Sequence, residues 1–224
     1  MEFIDQLNIL TASLIKHANP EKKPSMEKYM KNHFVYFGVN SPSRKLAEAE
    51  LYSQWKPSNL IELKSWVKLL WKQEQREFQY VALEILGKRK KWLSVEDFPF
   101  MEDLITTKSW WDTVDMLAGK NLGEILHNNP QIMEQKIHEY TAHENMWINR
   151  SAIISQLGFK SDTNVELLEF SILPHTESKE FFIQKAIGWA LRQYAKTNPS
   201  WVLDFVEKYP LKPLSKREAL KHLN

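Results

Sequence analysis

Two adjacent tryptophans and two acids fall within eight residues, KSWWDTVD, from Lys108 to Asp115. On a helix, Trp111 and Asp115 stand one turn apart and share a face. A core accepts the indole and rejects the carboxylate, and a solvated face does the reverse. Downstream the pairing recurs with opposite charge. Lys185 and Trp189 are four residues apart in FFIQKAIGWA, and Arg150 follows closely on Trp147 in MWINRSA. Indoles mixed with charges on one face suit a cleft that is neither core nor bulk surface. With basic residues, such a cleft suits a phosphate backbone.

The elements that position these residues read as helices. Only six glycines are present and strand-like alternation is scarce. Leu60, Leu63, Val67, Leu70 and Trp71 form one apolar stripe at helical spacing; Phe78, Val81, Ala82, Ile85 and Leu86 form another. Ser41-Pro42 and Asn198-Pro199 each read as an N-cap followed by proline at the first helical position. Ser215 with Glu218 reads as a capping box, with Leu214 placed for a hydrophobic staple. Four segments align: EFQYVALEIL, WWDTVDMLAG, MWINRSAIIS and FFIQKAIGWA. Their bulky second residues, Phe78, Trp111, Trp147 and Phe182, are 33, 36 and 35 apart, and a truncated last unit falls near Arg217. A period near 35 in a helical chain predicts stacked helix pairs, an α-solenoid forming one domain over residues 1–224. Equivalent positions then form a row on one wall. That row contains Val81 and Ala82, Val114 and Asp115, Arg150 and Ser151, then Lys185 and Ala186, so charge replaces apolar residues in the later repeats. The expectation is that this row faces a concave groove.

Charge is polarised along the chain. From Lys185 onward there are eight basic and three acidic residues, a net of +5, which leaves −3 for the remainder of a chain totalling +2. A basic groove wall suits nucleic acid, and a solvated basic tail accounts for the charge equally well. Without cysteine, disulfides and thiolate metal sites are excluded. His138 and His143 in HEYTAH are five apart and diverge on a helix, so no metal site is expected. No phosphate-cradling glycine loop is present. The N-terminus carries Glu2 and Asp5 where a signal peptide needs basic residues, and no run of 18 apolar residues occurs. A cytoplasmic protein with no membrane association is expected.

TKSWWDTVD, WINRSA, SKEFFIQKAIGWALRQYAKTNP and LSKREALKH closely resemble bacterial DNA alkylation repair proteins of the AlkD type. So does KYMKNHFVYFGVNSPSRK, and the similarity runs from about Tyr29 to His222. The resemblance implies HEAT-like repeats and a DNA glycosylase that removes N3- and N7-alkylated purines from double-stranded DNA. It implies no cofactor and no obligate protein partner. The family's two active-site tryptophans fall on Trp111 and Trp189, its catalytic aspartate on Asp115, and its phosphate-contacting arginine on Arg150. Its DNA-contact motif G-I-Q-T-P-x-R-R reads here from Gly38 to Lys45, with Asn40 replacing glutamine and Lys45 replacing arginine. Tyr29 is a further backbone contact by the same analogy. Lys185, Arg192, Lys216 and Arg217 are candidate phosphate contacts. Trp110 points about 100° from Trp111 and is expected in packing.

The implied chemistry needs few groups. Glycosidases generally use two carboxylates, one of them to protonate the leaving group. A cationic alkylpurine leaves as a neutral base, so a general acid is not needed. Asp115 would stabilise the oxocarbenium-like sugar and orient water, and the two indole faces would favour the same positive charge. The alternative is a helical-repeat module that binds DNA or protein without catalysis.

Overall fold

The computed structural model describes residues 3–223. Among these, regular structure is entirely helical; the sole β-type pairing is an isolated bridge between Val35 and Gln75. The fold is an all-α helical-repeat fold. Packing divides the chain after Arg89 into two compact units.

The first unit holds α1 (Phe3–Lys16), α2 (Lys23–Tyr29), α3 (Ser41–Tyr52), α4 (Leu60–Lys72) and α5 (Arg76–Lys88), with α1 packed on α3 and α4 on α5. The expected stripes form the core. Leu63, Val67, Leu70 and Trp71 are buried, as are Phe78, Val81, Ala82, Ile85 and Leu86, while Leu60 is half-buried. Each fully buried aliphatic or aromatic side chain contributes roughly 1.5–3 kcal/mol. Three polar residues of α5 are also fully buried, Arg76, Glu77 and Gln79. Each has work there. The Arg76 guanidinium lies 3.7 Å from the Phe34 ring centre. Glu77 accepts the backbone N–H groups of Phe37, Gly38 and Val39 at 3.0–3.1 Å. The Gln79 amide donates to the carbonyls of Leu70, Trp71 and Gln73, closing the end of α4.

The second unit holds α6 (Phe98–Thr106), α7 (Trp111–Met116), α8 (Gly123–Asn128), α9 (Pro130–Thr141), α10 (Met146–Ile154), α11 (Val165–Ile172), α12 (Phe181–Tyr194), α13 (Pro199–Lys208) and α14 (Pro213–Ala219). Its core includes Ile153, Ile154, Leu168, Ile172, Ile183, Ile187, Leu191 and Phe205. A π turn over Leu117–Leu122 joins α7 to α8. Just beyond it, a Cβ on Gly123 would lie 2.5 Å from the Ser155 carbonyl oxygen, so only glycine lets this helix approach the end of α10 so closely.

The 35-residue period is visible in the hydrogen bonding. Asn149 lies 70 residues after Gln79 and donates to Tyr140, Thr141 and His143, carbonyls nine, eight and six positions back. Gln79 uses the same three offsets, and Gln184, another 35 on, repeats the last of them with Ser178. Ion pairs also span about one repeat. Lys16–Glu50, Lys90–Glu124 and Glu102–Lys136 are 34 apart and Asp115–Arg150 is 35 apart, as is the hydrogen-bonded pair His127–Asp162.

Two expected caps are corrected. The N-cap of α3 is Asn40, whose side chain accepts from Ser43 N at 3.0 Å, and Ser41 is the first helical residue. Ser215 does not begin a helix. Pro213 opens α14, and Ser215 lies inside it with its hydroxyl donating to the Gln184 carbonyl at 3.0 Å. Asparagine is the recurrent cap: Asn59, Asn145, Asn164 and Asn198 each accept a backbone N–H at 2.9–3.1 Å. Each is worth about 1 kcal/mol.

Candidate active site

A cavity of about 300 Å³ in the second unit brings six of the expected residues together: Trp111, Asp115, Arg150, Lys185, Trp189 and Arg192. Trp111 is the first residue of α7 and Asp115 lies one turn on. Helix α10 contributes Arg150; α12 contributes Lys185, Trp189 and Arg192, together with Phe181 and Phe182. Asp115, Arg150 and Lys185 are the charged row of the repeat. Asp115 and Trp189 also line a second cavity of about 400 Å³, with Gly119, Leu157 and Gly158.

The resemblance assigns Arg150 to a phosphate, and the structure places it in the cavity wall beside Asp115. Its side chain is 4% exposed. Nε donates to Asp115 Oδ1 at 2.7 Å, Nη2 donates to Oδ2 at 2.9 Å, and Nη1 donates to the Phe182 carbonyl. These bonds take three of the five N–H donors of the guanidinium and orient the carboxylate, leaving two donors over. Each carboxylate oxygen keeps a lone-pair direction for another donor, and the Asp115 side chain is 16% exposed. Burial pushes the Asp115 carboxyl above the ordinary carboxylate range; Arg150 pulls it down through hydrogen bonding and charge, and Asp112 pushes it up.

The aromatic residues sort into two groups. Trp111 and Trp189 line the cavity and are partly exposed. Trp110 packs as expected, its ring 4.9 Å from Phe182 and 5.9 Å from Trp147, which themselves are 5.1 Å apart. This cluster braces the extended residue that starts α7 against α10 and α12. Phe181 at the cavity wall is 57% exposed; its neighbour in the FF pair is an apolar anchor, so the sequence pattern conceals its different position.

Lys185 and Arg192 share one carboxylate, Glu218 of α14. Lys216 and Arg217 are exposed on α14 and do not line the cavity. Gly188 serves helix packing: a Cβ there would lie 2.4 Å from Glu218 Cβ and 2.9 Å from the Ser215 carbonyl oxygen. His138 stacks on Phe170 at 3.9 Å and His143 accepts from Asn145 N, so the two imidazoles have separate tasks.

Tyr29, Asn40 and Lys45 lie in the first unit. Tyr29 ends α2 with 67% exposure, and Lys45 is exposed on the first turns of α3. The Asn40 side-chain oxygen is committed to its cap. Glu77, which sequence reasoning left unassigned, fixes the segment leading into α3. The carboxylate gathers three consecutive N–H groups around Gly38, whose φ of +94° favours glycine.

Among the described residues no helix is long and apolar enough to cross a membrane, and no three His, Asp or Glu are grouped to hold a metal ion. No curated protein matches the chain. A solved structure described as a predicted DNA alkylation repair enzyme from Enterococcus faecalis is 34% identical, with a TM-score of 0.84 over 92% of this chain and 97% of that one. The sequence profile of the DNA alkylation repair enzymes matches residues 10–223, and the chain belongs to that family.

Proposed function

We propose that the protein is a monofunctional alkylpurine DNA glycosylase acting on cationic N3- and N7-alkylated purines in duplex DNA. The observation that carries this reading is one carboxylate, Asp115, held by Arg150 in a cavity shared with two indoles. A positively charged purine needs no protonation to leave, so a site with a single carboxylate is sufficient. As the bond to the base lengthens, positive charge grows on the sugar. Asp115 faces that charge, and the π faces of Trp111 and Trp189 favour it. The second lone pair on a carboxylate oxygen orients the water that attacks the anomeric carbon. The attacking water gives up a proton, which passes by way of Asp115 to solvent, and the products are a free base and an abasic site. Lys185 and Arg192 bind backbone phosphate at the cavity; Lys216, Arg217, Tyr29 and Lys45 are proposed as additional backbone contacts.

Methylated duplex DNA tests this directly. Wild type should release 7-methylguanine, and Asp115→Asn should lose most of that release while still binding. No covalent adduct should be trapped with borohydride, because water is the nucleophile. DNA affinity with no base released by wild type would establish the alternative, a non-catalytic binding module.

A further inference from the structure

Lys185 and Arg192 are seven residues apart on α12, two turns and about 10.5 Å along one face. Helix α12, FFIQKAIGWALRQY, contains no acid of its own. Both cations are instead held by Glu218 from α14, with Oε1 3.1 Å from Lys185 Nζ and Oε2 2.6 Å from Arg192 Nη1. The Glu218 side chain is 15% exposed. Its approach depends on the bare position between the two cations. Gly188 follows Lys185 by three residues and precedes Arg192 by four, and any side chain there would strike Glu218. One turn earlier on α14, the Ser215 hydroxyl bonded to the Gln184 carbonyl sets the register of the two helices. Burial alone would raise the Glu218 pKa, but hydrogen bonds from Lys185 and Arg192 outweigh it and hold the carboxyl below its usual range, so it is ionised at neutral pH.

We propose that Glu218 is a positioning residue for the cavity: it holds Lys185 and Arg192 ready for a DNA backbone phosphate and lowers the net charge of that wall from +2 to +1. The inference rests on the glycosylase reading given above. Lysine and arginine side chains are long and lose much rotamer freedom when they are ordered. Pinning both beforehand means that phosphate binding does not have to order them. Lysine keeps two further donors and arginine four. The halved charge restrains the sequence-independent attraction that any duplex exerts on a basic surface. Glu218 therefore trades general affinity for orientation beside the sugar.

Glu218→Gln preserves volume and removes charge. Its binding to undamaged duplex should tighten several-fold at low salt, and the slope of log K against log salt should steepen by up to about one. Single-turnover release of 7-methylguanine should meanwhile slow by about tenfold, as misplaced contacts near reacting atoms do. A purely structural role predicts the opposite pairing, weaker binding and slower release with a lower melting temperature, and that result would overturn the proposal. So would an unchanged salt slope. Glu218→Asp separates geometry from charge and covers the case in which glutamine does not fold. It keeps the charge but shortens the reach to both cations, so release should slow with the salt slope unchanged. Wild-type release by the aspartate variant refutes the positioning role. If wild type itself releases no base, the glycosylase reading falls, yet the salt slope on undamaged DNA still decides whether Glu218 restrains the two cations.

Discussion

Asp115 and Arg150 form a pair, so removing one charge is not the same experiment as removing both. With the sugar cation about 4 Å from the carboxylate and an effective dielectric of about 20, the attraction is about 4 kcal/mol. The guanidinium behind the carboxylate lies about 7 Å from the sugar and repels it by about 2.4 kcal/mol on the same basis. The pair therefore stabilises the transition state by only about 2 kcal/mol net, or roughly 20-fold in rate. Asp115→Asn removes the whole attraction and leaves the repulsion, a loss of about 4 kcal/mol and roughly a thousandfold. The double variant Asp115→Asn/Arg150→Gln removes both and should lose only about 20-fold. The second substitution should thus recover close to fiftyfold of what the first destroys, on the same estimate.

The assay is single-turnover release of 7-methylguanine by all four members of the cycle. Folding must be checked in parallel, because an unpaired buried guanidinium costs about 3–5 kcal/mol of stability. Arg150→Gln alone has a separate signature in pH. Asp115 must be ionised to act, burial already raises its pKa, and Arg150 opposes that rise. Without Arg150 the acid limb of the rate profile should move to higher pH. A double variant no faster than Asp115→Asn, with melting unchanged, refutes the electrostatic account and leaves Arg150 a structural brace.

Glu48 in α3 makes a pH prediction about stability. It is 2% exposed, and its pKa is pushed up to about 7 by burial and by Glu84, against the pull of Arg44 and Lys88. A pKa raised on folding contributes stability present in full below pH 4.5 and lost as pH rises through about 7, at most about 3 kcal/mol; Glu48→Gln should flatten that part of the melting profile, and an unchanged profile refutes the assignment. Gly188→Ala forces α12 from α14, since its Cβ would lie 2.4 Å from that of Glu218; a loss of about 1–3 kcal/mol is expected from denaturant titration, and no change would show that the helices separate freely. Lys45→Ala should reduce the salt slope of DNA binding by about one without altering melting; an unchanged slope removes Lys45 from the backbone contacts.

Helices were legible in this sequence because their buried stripes follow a 3.6-residue period, as in α4 and α5. The 35-residue repeat was legible because bulky anchors and a charged row recur with it. What escaped reading depends on tertiary partners. Nothing local distinguishes Glu77 from a solvated first-turn acid; its role exists only because the chain around Gly38 returns to it. Ser215 and Glu218 do fit a capping box, and only Pro213 two residues earlier and the closeness of α12 give them other partners. The pairing of Arg150 was equally out of sight, since its neighbours in space, Asp115 and the Phe182 carbonyl, lie 35 and 32 residues away.

The same repeat that builds the core also accounts for the site. One period carries a position from Asp115 to Arg150 and another carries it to Lys185, so α7, α10 and α12, one helix from each of three successive repeats, present their charges on one wall. In the first unit the corresponding positions of α5 are Val81 and Ala82, both fully buried. A row that is apolar can be covered; a row that is charged resists complete burial, because each charge needs a partner or water. In the second unit Arg150 meets that requirement by pairing with Asp115, and Lys185 by pairing with Glu218. The Asp115 carboxylate, which lines the cavity with the two indoles, keeps some access to it. Substituting charge for apolar residues in a stacking row opens a cleft without altering the helices that form it, and partners drawn from adjacent repeats fix the side chains within it.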